Sequence, residues 1–96
     1  RPAADPQKYD WPAIKLASFV LDANKCTAMV ELSGGGLSRK QEIWRWTRSQ
    51  NGWQANSFIE GFTAKDVEVS KEGISFYLSP KHSPQLSNLY VLKRNQ

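Results

Sequence analysis

The strongest constraint in this sequence is a two-residue alternation of apolar and polar side chains, cut by turn residues roughly every 8–12 positions. Successive side chains of a strand point to opposite faces, so this alternation marks strands with one buried face. Cys26, Ala28, Val30 and Leu32 alternate with Lys25, Thr27, Met29 and Glu31. Before them, Ile14, Leu16, Ser18 and Val20 alternate with Lys15, Ala17 and Phe19, and Asp22-Ala23-Asn24 supplies a turn between the two runs. Further on, Val67 and Val69 alternate with Asp66, Glu68 and Ser70. Ile74, Phe76 and Leu78 then alternate with Ser75 and Tyr77, after the tight turn Lys71-Glu72-Gly73. A polar loop over residues 79–88 leads to the closing run Leu89-Tyr90-Val91-Leu92. Residues 11–21 also fit a helix, with Asp10 as N-cap and Pro12 near its first turn. The strand reading is favoured there, because Phe19-Val20-Leu21 runs into a turn with no capping glycine.

These runs predict an all-β chain: a single small antiparallel domain of about seven strands. Short links make sequential strands neighbours in a meander, closed as a sandwich or a small barrel. The length of 96 residues fits one domain, enough for a single core. Residues 1–12, with Pro2, Pro6 and Pro12, read as an extended lead-in, and residues 13–96 as the β domain. Tyr9 and Trp11 are placed to pin the lead-in to the body.

The composition gives little to catalysis. Cys26 and His82 are the sole cysteine and histidine, too few for a disulfide or a Cys/His zinc site. Cys26 falls at an apolar position and reads as an inert buried thiol. His82 lies in a Ser-Pro-Lys-His-Ser-Pro loop, and the nearby Ser79, Ser83 and Ser87 have no nucleophile-elbow glycines. Asp66 and Glu68 share a strand face as a carboxylate pair but suit a solvated edge better. Gly34-Gly35-Gly36 lacks the Gly-Lys-Ser/Thr ending of a phosphate loop and reads as a hairpin connection. No catalytic residue, metal or cofactor is expected. No apolar run approaches the ~20 residues of a membrane-spanning helix, so no membrane insertion is expected. The polar start Arg-Pro-Ala-Ala-Asp-Pro resembles the beginning of a mature exported protein, which leans toward a secreted or periplasmic location and leaves open a cytosolic protein or a fragment of a longer parent.

The unusual segment is a basic, tryptophan-rich hairpin. Arg39, Lys40, Arg45 and Arg48 against Glu42 give residues 39–48 a charge of +3, out of +4 for the chain. Residues 60–72 carry −2, with Lys65 and Lys71 against Glu60, Asp66, Glu68 and Glu72. Trp44, Trp46 and Arg48 fall on one strand face, with Ile43, Arg45 and Thr47 on the other. Asn51-Gly52, two residues that tolerate positive φ, predicts a tight hairpin that brings Trp53 beside Trp46 or Arg48. The indoles are either core or exposed platforms for stacking.

The pattern Trp-Arg-Trp-Thr-Arg-Ser-Gln-Asn-Gly-Trp-Gln resembles the central hairpin of nuclear-transport-factor-like domains, over about residues 16–59. The resemblance implies N-terminal helices over a curved sheet, for which this chain has neither length nor pattern, and it carries no assignment. The residues themselves point to a non-catalytic binding or assembly module. Arg39, Lys40, Trp44, Arg45, Trp46, Arg48 and Trp53, with exposed strand edges, would engage a protein partner. The alternative is a small barrel binding single-stranded nucleic acid by stacking along a cationic groove.

Overall fold

The computed structural model describes residues 8–94. Residues 1–7 of the lead-in lie outside that range. The chain forms β1 (Ala13–Asp22), β2 (Lys25–Gly34), β3 (Leu37–Ser49), β4 (Gly52–Ser57), β5 (Phe62–Ser70), β6 (Gly73–Pro80) and β7 (Asn88–Lys93). No α-helix occurs among the described residues, and residues 13–22 are strand. The strands make two antiparallel meanders, β1-β2-β3-β4 and β5-β6-β7. Among the described residues no ladder joins the sheets, which face each other across one core, so the architecture is the sandwich.

The alternation predicts the inward faces of β2, β3 and β6. Cys26, Ala28, Val30 and Leu32 are buried, as are Trp44, Trp46, Ile74, Phe76 and Leu78. It fails in β1, where Ala17 is an extra residue between the pairs Leu16↔Val30 and Ser18↔Met29. Such a bulge shifts the side-chain phase by one. Leu16 and Phe19 therefore point inward, and Val20 is left 67% exposed. A second bulge in β5 sits between the pairs Lys65↔Tyr77 and Glu68↔Ser75. Asp66 there takes a positive φ of 52°, which breaks the regular strand face that alternation has it share with Glu68.

The hairpin between β3 and β4 turns one residue earlier than the Asn-Gly pattern suggests. Ser49 pairs with Gly52, Gln50-Asn51 span the turn, and of these four residues Gly52 alone has positive φ. The Ser49 hydroxyl accepts the Asn51 N–H at 3.2 Å and holds this arrangement. The turn from β5 to β6 repeats it: Ser70 pairs with Gly73 and its hydroxyl accepts the Glu72 N–H. Both turns have the pattern Ser-x-x-Gly.

The two seams between the sheets differ. At the β1/β7 seam, the Tyr90 hydroxyl donates to the Pro12 carbonyl and the Arg94 guanidinium sits 5.0 Å over the Phe19 ring. Residues 10–12 also pack on the glycine turn, where a methyl on Gly35 would stand 2.7 Å from the Pro12 nitrogen. Trp11 packs against the core, with the Tyr9 ring 4.6 Å from its own and tilted by 56°. At the β4/β5 seam, both strands are sheet edges and no ladder spans them.

Two glycines separate backbone conformation from crowding. Gly52 has φ +93° with open space around it, so Gly52→Ala should cost about 1–2 kcal/mol for the left-handed backbone alone. A methyl on Gly73 would stand 2.0 Å from the Leu92 carbonyl oxygen, so Gly73→Ala must push β7 away and should cost more. Urea unfolding of both variants checks this. A loss at Gly73 no larger than at Gly52 would show that β7 gives way freely.

Candidate functional site

The predicted binding residues do not form one cluster. Arg39 and Arg48 are nine residues apart on one strand, so roughly 30 Å separates them at about 3.3 Å per residue. That is well over half the 47 Å long axis of the molecule. Arg39 and Lys40 lie near the glycine turn, and Arg48 and Trp53 near the opposite hairpin turn. Arg45 is exposed on the outer face of the four-stranded sheet, beside Thr27 and Ser57.

Trp44 and Trp46 are corrected from candidate binding residues to core. They are 0% and 1% exposed. The reason is their side of β3: both turn inward against Phe58 and Phe76, with ring centroids 4.7 to 6.0 Å apart. The Trp44 indole N–H donates to Glu42 at 3.0 Å, whereas that of Trp46 has no acceptor among the described residues. Neither ring can stack on a base or a sugar from this position.

Trp53 differs. It is half-buried, pairs across the hairpin with Arg48, and carries that guanidinium 5.8 Å over its ring. It also lines a groove of about 270 Å³ at the β4/β5 seam. Ala55, Phe58, Phe62, Ala64 and Val67 make the rest of its apolar lining, with Lys81 at the same groove. The groove exists because β4 ends at Ser57 and the chain crosses to the other sheet before β5 begins at Phe62. The alternation of β5 shows that Phe62, Ala64 and Val67 share a face only once the bulge at Asp66 is known.

Two further surfaces were not legible in the alternation. Val20, Met29 and Ile43 are exposed on the outer face of the four-stranded sheet. Met29 lies directly opposite Ile43. Tyr77, Leu89 and Val91 are exposed on the other sheet, with Tyr77 opposite Leu89. β-Prone residues on an outer face have the same period as core residues, so sequence pattern alone does not separate them.

The candidate catalytic groups do not converge. His82 is exposed, whereas Ser79 is buried and donates its hydroxyl to the Leu86 carbonyl at 2.6 Å. That bond anchors the loop 80–88 and engages the hydroxyl. Among the described residues no three His, Cys, Asp or Glu side chains are grouped to hold a metal. No helix there is long and apolar enough to cross a membrane.

Cys26 is buried on the inward face of β2, opposite Trp46, and burial pushes its thiol from an ordinary 9.0 up to about 11. Iodoacetamide at pH 8 should therefore leave the native protein unlabelled and label it fully in denaturant. Rapid native labelling would contradict the burial. Folding favours the protonated thiol, so its contribution to stability is complete below pH 9 and fades as pH rises toward 11.

No family model, curated protein or solved structure matches this chain.

Proposed function

We propose that the chain is a non-catalytic protein-binding module that takes an extended segment of a partner into the β4/β5 seam. The observation that carries this reading is the pairing of two unladdered strand edges over an apolar floor. An extended peptide can satisfy an open edge through main-chain hydrogen bonds and seat every second side chain in such a groove. Trp53, Phe58 and Phe62 supply large apolar contact area, of the kind that dominates binding energy at interfaces. Arg48 and Lys81 stand beside the groove, so the segment that fits best carries acidic residues flanking its apolar ones.

Single-stranded nucleic acid is less well served. Successive bases need a row of exposed rings, and burial of Trp44 and Trp46 leaves Trp53 as the one partly exposed ring of the hairpin's three indoles.

A library of random eight-residue peptides, selected on the immobilised protein, tests the proposal. Enriched sequences should show apolar residues at every second position with acidic neighbours. Ala64→Lys, which places a charge in the groove, should weaken their binding at least about tenfold. Oligodeoxythymidylate should not bind at low salt. Selection of no consensus, binding indifferent to Ala64→Lys, or oligonucleotide binding that falls steeply with salt would overturn the reading.

A further inference from the structure

β3 has a second open edge, remote from the β4/β5 groove. The strand runs from Leu37 to Ser49 and pairs with β2 along most of its length, but β4 covers only Arg45 to Ser49. From residue 38 to residue 44 the far edge of β3 has no backbone partner among the described residues. Among the described residues the Ser57 hydroxyl reaches it there, donating to the Ile43 carbonyl at 3.0 Å. That bond also fixes the direction of the backbone. The Ile43 N–H and C=O point to the open side, and by alternation those of Gln41 do too, whereas Lys40 and Glu42 point theirs to β2.

An open edge seven residues long is a template for another strand. Edges of this kind are commonly protected by a lysine, and Lys40 stands here. Its charge is balanced, however. Lys40 Nζ lies 3.2 Å from Glu42 Oε2, both side chains being on the inward face of β3 beyond Trp44. The edge thus presents plus, then minus, two residues apart.

We infer that this edge pairs with the same edge of a second copy of the chain, antiparallel about a two-fold axis at Gln41. Residues opposite each other in an antiparallel pair share a face, so the charges select the register. With the axis at Gln41, Lys40 of each copy lies opposite Glu42 of the other. With the axis at Lys40, lysine faces lysine; with the axis at Glu42, glutamate faces glutamate. The favoured register is also the one in which Gln41, whose N–H and C=O face the open side, forms a doubly hydrogen-bonded pair with its twin. On the outer face Arg39 meets Ile43, and its aliphatic stem covers that exposed side chain. The two four-stranded sheets then join into one of eight strands. The paired length is short, so the dimer is a transient one of small interface.

Sedimentation velocity up to the millimolar range, with far-UV circular dichroism as the folding control, tests this. The parent chain should show reversible dimerisation. Lys40→Glu and Glu42→Lys should each weaken it about tenfold, since each sets like charges opposite at two places. An equimolar mixture of the two variants should recover it, because one variant then carries two acids along this edge and the other two lysines, and the same register sets acid opposite lysine at both places. Gln41→Pro removes an N–H that makes no ladder bond to β2, so it should abolish dimerisation while the fold stays intact. A parent chain that remains monomeric, dimerisation unchanged in the charge variants or in Gln41→Pro, or a mixture no tighter than its components would each overturn the inference.

Discussion

Everything in this sandwich depends on aromatic contact between two sheets that share no hydrogen-bond ladder. Within each sheet, backbone bonds fix strand spacing and register. Between them, among the described residues, side-chain packing and the Tyr90 hydroxyl's bond to the Pro12 carbonyl supply the adhesion. Trp44 and Trp46 of β3 meet Phe76 of β6 at 6.0 Å each, and Phe58, from the segment crossing between the sheets, wedges into the same group. Phe76 in turn stacks on Tyr90 with the rings 11° from parallel. Tilted and edge-on rings at these separations contribute about 0.5–1.5 kcal/mol per pair beyond the area they bury. Removing one of the tryptophans would cost about 3–5 kcal/mol, a large share of the stability of a domain this size.

That commitment decides what is left for binding. Each indole placed in the core is withdrawn from the surface, so the basic hairpin keeps its charge but loses two of its three rings. It also explains why Glu42 sits on an inward face. The Trp44 N–H needs an acceptor once water is excluded, and Glu42 supplies it while its other carboxylate oxygen holds Lys40. Trp46 has no such neighbour among the described residues, and its unpaired N–H is a cost of about 1–3 kcal/mol that the surrounding ring contacts must offset.

The strands were legible because their faces differ in polarity, and β2 is the plainest case, with Cys26, Ala28, Val30 and Leu32 on one side. Legibility ended where the backbone departs from the period. Ala17 carries no signal that it is an extra residue, yet it moves Phe19 into the core and Val20 out. Asp66 behaves likewise in β5; an aspartate tolerates positive φ but does not announce it. The turn at Gln50-Asn51 was displaced by a serine hydroxyl, a local bond that the Asn-Gly pattern does not encode. Among the candidate binding residues, the positions of Arg39, Arg45 and Arg48 on β3 followed from counting. Their distance from one another mattered more than their shared strand. Whether Trp44 and Trp53 were core or surface needed the partner sheet, which no local pattern describes.

The four sheet edges of this fold are managed by different means, and that difference locates its interaction surfaces. At the β1/β7 seam, the incoming segment at residues 10–12, the Tyr90 hydroxyl and Arg94 fill the gap between edges. At the β4/β5 seam nothing equivalent among the described residues bridges the gap, and apolar side chains line it instead. Two features of β4 account for these openings. β3 is 13 residues long and β4 is 6, so β4 leaves about half of its neighbour's edge uncovered. Its own far edge is open because the chain crosses to the other sheet after Ser57 and no strand follows β4 in its sheet. A longer β4 would cover the open part of the β3 edge. The short strand after the Ser-Gln-Asn-Gly turn is therefore the element that turns a closed sandwich into one with backbone donors and acceptors to offer.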